Sequence, residues 1–262
     1  MSKRSISLFA VAVLSAAAIA AVSFADDRPA KPTPGRAFQS LATQALQDDD
    51  ATNPGMLWVE QGAKLWAEPA GKSGKSCASC HGDATQSMKG VAARLPAVDA
   101  ASGRLMNLEA RIIDCRVNRQ GAPAPAYESR ELLNLTAYVS IQSRGVPRSV
   151  TIDGAARPFF ERGKTFWQTR QGQLNLACGQ CHDENVGKKL RGDTISEGHA
   201  HGWPGYRLDW QGMGSLHRRL RACSLGVRAE VLDFGSPEYL ALELYLAWRG
   251  GDLPMESPGV RR

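Results

Sequence analysis

Cys77-Ala78-Ser79-Cys80-His81 recurs 101 residues later as Cys178-Gly179-Gln180-Cys181-His182. Cys-x-x-Cys-His is the attachment pattern for c-type haem. Two intervening residues set the thiols apart to match the haem vinyl groups, and the adjacent His then brings an imidazole nitrogen over the iron. One copy alone also suits a redox dithiol or half a zinc site. Two copies predict two covalently bound haem c groups, held by Cys77, Cys80, Cys178 and Cys181, with His81 and His182 on the irons.

Working outward, the halves align around the motifs. At the 101-residue offset Gly62 falls on Gly163 and Trp66 on Trp167, and each Trp precedes its first haem Cys by eleven residues. Residues 61–66 and 162–167 both read as the amphipathic helix that opens a cytochrome c domain, with the aromatic packed on a neighbouring helix or the haem edge. Each half continues with a helical stretch carrying one Cys (residues 108–115 and 216–223). A longer apolar helix closes each half, at about 130–143 and 237–248. Glycines after these helices are expected stops, and Ser236-Pro237-Glu238 an expected start. No strand-like alternation of useful length occurs. The predicted fold is mainly α, a tandem repeat of two cytochrome c-type domains (54–145 and 158–262) joined by a linker (146–157) and preceded by a leader (26–53).

The chain opens with Lys3 and Arg4, an apolar run over 6–22, then Ser23-Phe24-Ala25 before an acidic pair. This reads as a signal peptide over 1–25, removed on export. A retained anchor is the alternative, but the run is short of the ~20 residues of a bilayer span. Export suits haem attachment outside the cytoplasm, so a periplasmic protein with no membrane association after cleavage is expected. Two of the 32 basic residues lie in the signal, which leaves 30 against 26 acidic ones. So mild an excess, with no basic stretch interleaved with aromatics, excludes nucleic-acid binding as a reading.

Two of the six cysteines remain outside the motifs. In an exported protein a Cys115–Cys223 disulfide is the plain reading. Each half, however, holds one of them between its haem motif and its closing helix, 38 and 45 residues after the first haem Cys. Axial thiolate ligation explains that equivalence and a disulfide does not. Met88, Met106 and Met213, and His199, His201 and His217, are the other candidates for the sixth position. Arg219 stands one helical turn before Cys223. A cation there lowers the thiol pKa, and a guanidinium can hold an oxyanion such as thiosulfate. Binding of haem propionates, or simple exposure to water, is the competing explanation. Arg111 stands equally before Cys115, so the halves differ only in the intervening residues, Ile112, Ile113 and Asp114 against Leu220, Arg221 and Ala222. His199-x-His201 is weak as a metal site, residues 203–206 and Trp210 are expected to cover the haem or face a partner, and Asp48-Asp49-Asp50 reads as a solvated run.

These residues carry a resemblance. The two haem motifs, Arg111-x-x-x-Cys115-Arg116, Arg219-x-x-x-Cys223 and the tail from Gly235-Ser236-Pro237-Glu238-Tyr239 through Leu244-Tyr245-Leu246 resemble the dihaem form of the SoxA family, over nearly all of the mature chain. The resemblance implies an L-cysteine S-thiosulfotransferase that works with a SoxX-like monohaem cytochrome. It would join thiosulfate to a cysteine of a SoxYZ-like carrier and pass two electrons to a c-type cytochrome. Carried over by position, His81 and Cys115 would ligate one iron and His182 and Cys223 the other. Cys223 would be the catalytic cysteine, found in the family as a persulfide, with Arg219 at the substrate. Relatives lacking the first motif hold that lobe by a disulfide; here the motif is intact. A thiosulfate dehydrogenase forming tetrathionate and a dihaem electron-transfer cytochrome without substrate are the alternatives.

Overall fold

The computed structural model describes residues 28–262, so the expected signal segment lies outside the described residues. The leader forms α1 (Leu41–Asp48). The first lobe holds α2 (Met56–Ala67), α3 (Cys77–His81), α4 (Ala84–Ser87), β1 (Ala97–Val98), β2 (Leu105–Met106), α5 (Leu108–Asp114) and α6 (Arg130–Ile141). The second holds α7 (Arg157–Gln168), α8 (Cys178–His182), β3 (Lys189–Leu190), β4 (Asp193–Thr194), β5 (Gly205–Arg207), β6 (Gly212–Gly214), α9 (Leu216–Gly226), α10 (Pro237–Arg249) and β7 (Gly259–Arg261). The mainly helical prediction holds.

In each lobe the opening helix crosses the closing one at a glycine. Helix α2 buries Val59, Gly62 and Trp66, and α7 buries Phe160, Gly163 and Trp167, the same spacing on one helical face. A Cβ on Gly62 would stand 2.1 Å from the Asn134 carbonyl oxygen, and one on Gly163 2.1 Å from that of Ala241. Backbones this close leave room for hydrogen only. Helix starts repeat too: Ser129 and Ser236 cap α6 and α10, and Asn107 and Ser215 cap α5 and α9, each accepting from a backbone N–H three residues on.

The strands were not foreseen, since two or three residues are too few to show alternation. They nonetheless belong to the repeat. The β1–β2 hairpin pairs Ala97 with Met106, and β5–β6 pairs Gly205 with Gly214. Both pairs, and the helices after them, superpose in sequence at an offset of 108, the spacing between Cys115 and Cys223. The second lobe has gained seven residues between its haem motif and its hairpin, in the region of β3 and β4. Strand β7 then adds to β5 in parallel.

The lobes interlock rather than follow one another. Leu105 of β2 packs in the core of the second lobe with Phe160, Leu242 and Leu246. Its repeat equivalent, Met213 of β6, packs in the first with Val59, Leu133 and Ala137. The tail returns Met255 to the first lobe's core beside Trp66 and Leu108. Linker residues bond to that tail, Arg148 N–H donating to Leu253 and Met255 N–H to Val146. The leader is tied down by Asn53 donating to the Pro258 carbonyl (3.1 Å) and Gln47 accepting from Val260 (3.0 Å). The acidic run expected to be solvated is partly paired, Asp48 with Arg36 and Asp50 with Arg144.

The seam between the lobes is polar. Glu109 and His217, again repeat equivalents, meet Glu243 of α10, whose carboxylate accepts from Asn107 (3.0 Å) and lies 3.2 Å from His217 Nε2. Glu243 is thereby held low against burial, while burial first and Glu243 second push Glu109 up to about 7. His217, Arg148 and Glu128 are the other charged groups that act on this pair. A carboxyl whose folded pKa exceeds its unfolded one retains a proton that the unfolded chain gives up, so stability falls as pH rises through the interval. Glu109 therefore contributes a fall in stability between about pH 5 and pH 7, against the opposite slope of His201 and His199, whose charging burial suppresses. Glu109→Gln should remove the falling part, so that the melting temperature of the haem-loaded protein rises more steeply over this interval than in wild type; an unchanged profile would place the titration elsewhere.

Candidate active site

The motif cysteines and histidines sit on two five-residue helices, each backed by the buried Trp of its lobe's opening helix. The Trp66 ring lies 5.8 Å from that of His81, and Trp167 lies 5.8 Å from His182. Trp66 donates to the Gly82 carbonyl (3.0 Å) and Trp167 to Asp183 (3.0 Å). Asp183 also pairs with Arg249, whose guanidinium lies 4.8 Å over Trp167. His182 Nδ1 lies 2.6 Å from the Ser196 carbonyl, to which it donates, and so Nε2 is left as a lone-pair donor.

Cys223 on α9 comes to this imidazole. Its thiol is hydrogen-bonded with His182, and Cys178 and Cys181 lie close enough for its charge to act on them. A nitrogen and a sulfur donor thus converge from α8 and α9. Burial pushes the thiol up, but the Arg219 charge, the His182 hydrogen bond and charge, and the Arg207 charge outweigh it and bring the group down to about 7.

Cys115 holds the matching place in the first lobe, within electrostatic reach of Cys77 and Cys80. It ends α5 and opens a turn of π-helix, Cys115–Arg119, an irregularity often found at functional sites. Its thiol moves the opposite way: burial and Asp114 raise it despite Arg111 and Arg119. Arg111 is turned aside, its Nη1 lying 2.7 Å from Asp99 Oδ1.

The other candidates are placed elsewhere. All six cysteines are free, which removes the disulfide reading. Met213 is in the first lobe's core and Met106 is buried in its hairpin, while Met88 packs against the same apolar cluster as Cys77. His217 belongs to the seam. His199 pairs with Glu197 (2.8 Å) and packs with His201 over the Gly250 backbone. Among the described residues no group of three or more His, Cys, Asp and Glu could hold a free metal ion. Trp203 joins the second core and lies 6.0 Å from Trp210.

The arginines needed the fold to be sorted. Arg221, which set the second lobe apart in sequence, stacks 4.5 Å over Phe234 and bonds to the Leu232 carbonyl, away from the thiol. Arg218 stacks 4.2 Å over Trp210. The second cation at Cys223 is Arg207 from β5, which the sequence reading missed. Its one sequence signal is the 108-residue offset, which places it opposite Asp99.

The donor set, two free thiols and a histidine on each short helix with a further thiol brought to it, fits haem c. Residues 61–148 match the family model described as SoxA/TsdA, cytochrome c domain, and the chain accordingly carries covalently bound haem c. The L-cysteine S-thiosulfotransferase subunit SoxA of Pseudaminobacter salicylatoxidans is 44% identical over 229 residues, 87% of this chain and 80% of that protein. The SoxA subunit of Rhodovulum sulfidophilum is 40% identical, across 87% and 79%. The crystal structure of SoxXA from P. pantotrophus superposes with a TM-score of 0.85 at 38% identity, covering 88% of this chain and 87% of that one. Among the described residues no helix is long and apolar enough to cross a membrane. A repeated haem motif, a thiol delivered to each motif and relatives alike over most of their length agree: the chain belongs to the SoxA family.

Proposed function

We propose that this chain is the catalytic subunit of a periplasmic L-cysteine S-thiosulfotransferase, working with a SoxX-like monohaem cytochrome on a SoxYZ-like carrier. The observation that carries it is Cys223, a thiol set against His182 and served by two guanidiniums. In the overall reaction a bond forms between the outer sulfur of thiosulfate and the carrier cysteine sulfur. The thiol proton and two electrons leave, the electrons for a c-type cytochrome acceptor.

Two haem c groups would be held by Cys77, Cys80, Cys178 and Cys181, with His81 and Cys115 on one iron and His182 and Cys223 on the other. When bound they supply one-electron acceptors beside the thiol. The chain's own residues prepare the anions. Arg219 offsets the charge of a dianionic substrate approaching an anionic sulfur and can orient it through a bidentate pair. His182, fixed by Ser196, holds one ring orientation, and the buried Trp167 and Arg249 brace it from behind. At the lone cysteine of the first lobe burial and Asp114 outweigh Arg111 and Arg119, and Arg111 is paired with Asp99, so the second lobe is the site of chemistry.

The test is a product assay. The chain and its monohaem partner, given thiosulfate, oxidised cytochrome c and the carrier, should yield carrier with a thiosulfate adduct, seen by intact mass. Tetrathionate formed equally without carrier would favour the thiosulfate dehydrogenase reading, which the joint SoxA/TsdA family description keeps in view. Neither product, with haem spectra indifferent to thiosulfate, would leave an electron-transfer cytochrome.

A further inference from the structure

Across residues 97–115 and 205–223 the two lobes repeat without a gap, from hairpin to axial cysteine. One pair of positions changes sign between them. In the first lobe Asp99 follows β1 and Arg111 lies on α5, and the two form an ion pair at 2.7 Å. In the second the same two positions are Arg207 and Arg219, both cationic and near enough to repel each other. The closed pair is not repeated: Arg207 turns to Asp209 and Asp193, and both arginines act on the Cys223 thiol.

Arg207 is only 7% exposed. Its Nη2 lies 3.2 Å from Asp209 and 3.6 Å from Asp193, and its Cζ is 5.2 Å from the Trp210 ring. These contacts fix the plane of the guanidinium but occupy one nitrogen. Its Nε is buried and has no hydrogen-bond partner. Buried N–H groups are nearly always satisfied, and an anion between the two arginines would complete this one.

We propose that Arg207 is a second substrate-binding residue, and that thiosulfate is held between its Nε edge and Arg219. This rests on the thiosulfate reading above. The geometry supplies what Arg219 alone lacks: a second guanidinium edge, left open by Asp193 and Asp209, for an anion with several acceptor atoms. It also explains why only the second lobe has a site, since in the first Asp99 already fills the place of the anion.

The experiment uses the haem-loaded complex and reads thiosulfate KM against kcat, with thiosulfate affinity measured separately by calorimetry. Arg207→Gln should raise KM and Kd about ten- to a hundredfold, as expected for a lost charged hydrogen bond, with a smaller change in kcat. Arg207→Lys should recover most of the affinity. Arg207→Asp, which rebuilds the first lobe's ion pair around Arg219, should bind more weakly than Arg207→Gln. A haem spectrum matching wild type establishes that the variants are folded. If the wild-type complex conjugates thiosulfate and Arg207→Gln does so with unchanged KM and Kd, the inference fails. An Arg207→Gln change confined to haem potential would give Arg207 to a propionate and overturn it equally. If wild type binds thiosulfate in an Arg207-dependent way but makes no carrier adduct, the inference stands and the assigned reaction fails.

Discussion

Replacing Cys223 by Met is expected to leave the covalent haem content of the protein unchanged while thiosulfate conjugation falls by on the order of a thousandfold or more. In the proposed arrangement attachment runs through Cys178 and Cys181, which the substitution does not touch, and a thioether could still take the place of Cys223 beside His182. What is lost is the ionisable sulfur. Cys223 is the thiol that Arg219, His182 and Arg207 bring down to about 7 against its burial. A thioether neither ionises nor carries a second sulfur, so the surrounding charges have nothing to activate. Cys115→Met makes the counter-experiment. Burial and Asp114 raise that thiol, and Arg111 is tied to Asp99, so most conjugation activity should survive. Intact mass gives the haem count, and carrier-adduct assays give the rates. Full activity in Cys223→Met would remove the catalytic assignment.

Gly163→Ala carries the second large effect, and it acts on folding. In an exposed helix the change would gain ~1 kcal/mol of helix propensity. Here the new Cβ would stand 2.1 Å from the Ala241 carbonyl oxygen, 2.6 Å from its carbon and 2.9 Å from Tyr245 Cβ. Two of these atoms are backbone, so no rotamer change relieves the contact, and α7 must move off α10. Such overpacking costs about 1–3 kcal/mol or more beyond the propensity gain. A net loss of about 2 kcal/mol corresponds to a melting temperature lower by roughly 4–8 °C in a protein of this size. Because Trp167 lies one turn away on the same face, haem incorporation should fall with it. Gly226→Ala is the control. It sits at the end of α9 with nothing within 4 Å of its Cβ position, and its stability should be unchanged or slightly raised. Equal melting temperatures for the Gly163→Ala and Gly226→Ala proteins would show that the helices can separate freely.

Helices were legible because each has a chemical reason within a few residues. Gly62 and Gly163 read as paired features before their contacts were known, and Ser236 caps α10 where the sequence placed its start. The strands were not legible. Strand β5 is three residues long, and its partner β7 lies more than fifty residues away at the end of the chain. No local pattern announces such a pairing. The exchange of Leu105 and Met213 between cores was hidden for the same reason: an apolar residue in a short hairpin does not state which lobe will bury it.

The site divides along the same line. By itself the sequence carried the motifs on which the proposed covalent chemistry rests: the two Cys-x-x-Cys-His segments, the imidazole that ends each, the two spare thiols, and the repeat. These depend on spacing along the chain, which folding leaves unchanged. Tertiary structure alone decided the charges around each thiol. Arg111 and Arg219 stand at the same distance before their cysteines, yet Asp99 pairs with one and Arg207 takes the equivalent place beside the other, while Arg221, the residue that marked the second lobe on paper, faces Phe234. Electrostatic energy depends on distance and on removal from water. Both are set by which strand lies beside which helix, and no reading of neighbours in the chain supplies that.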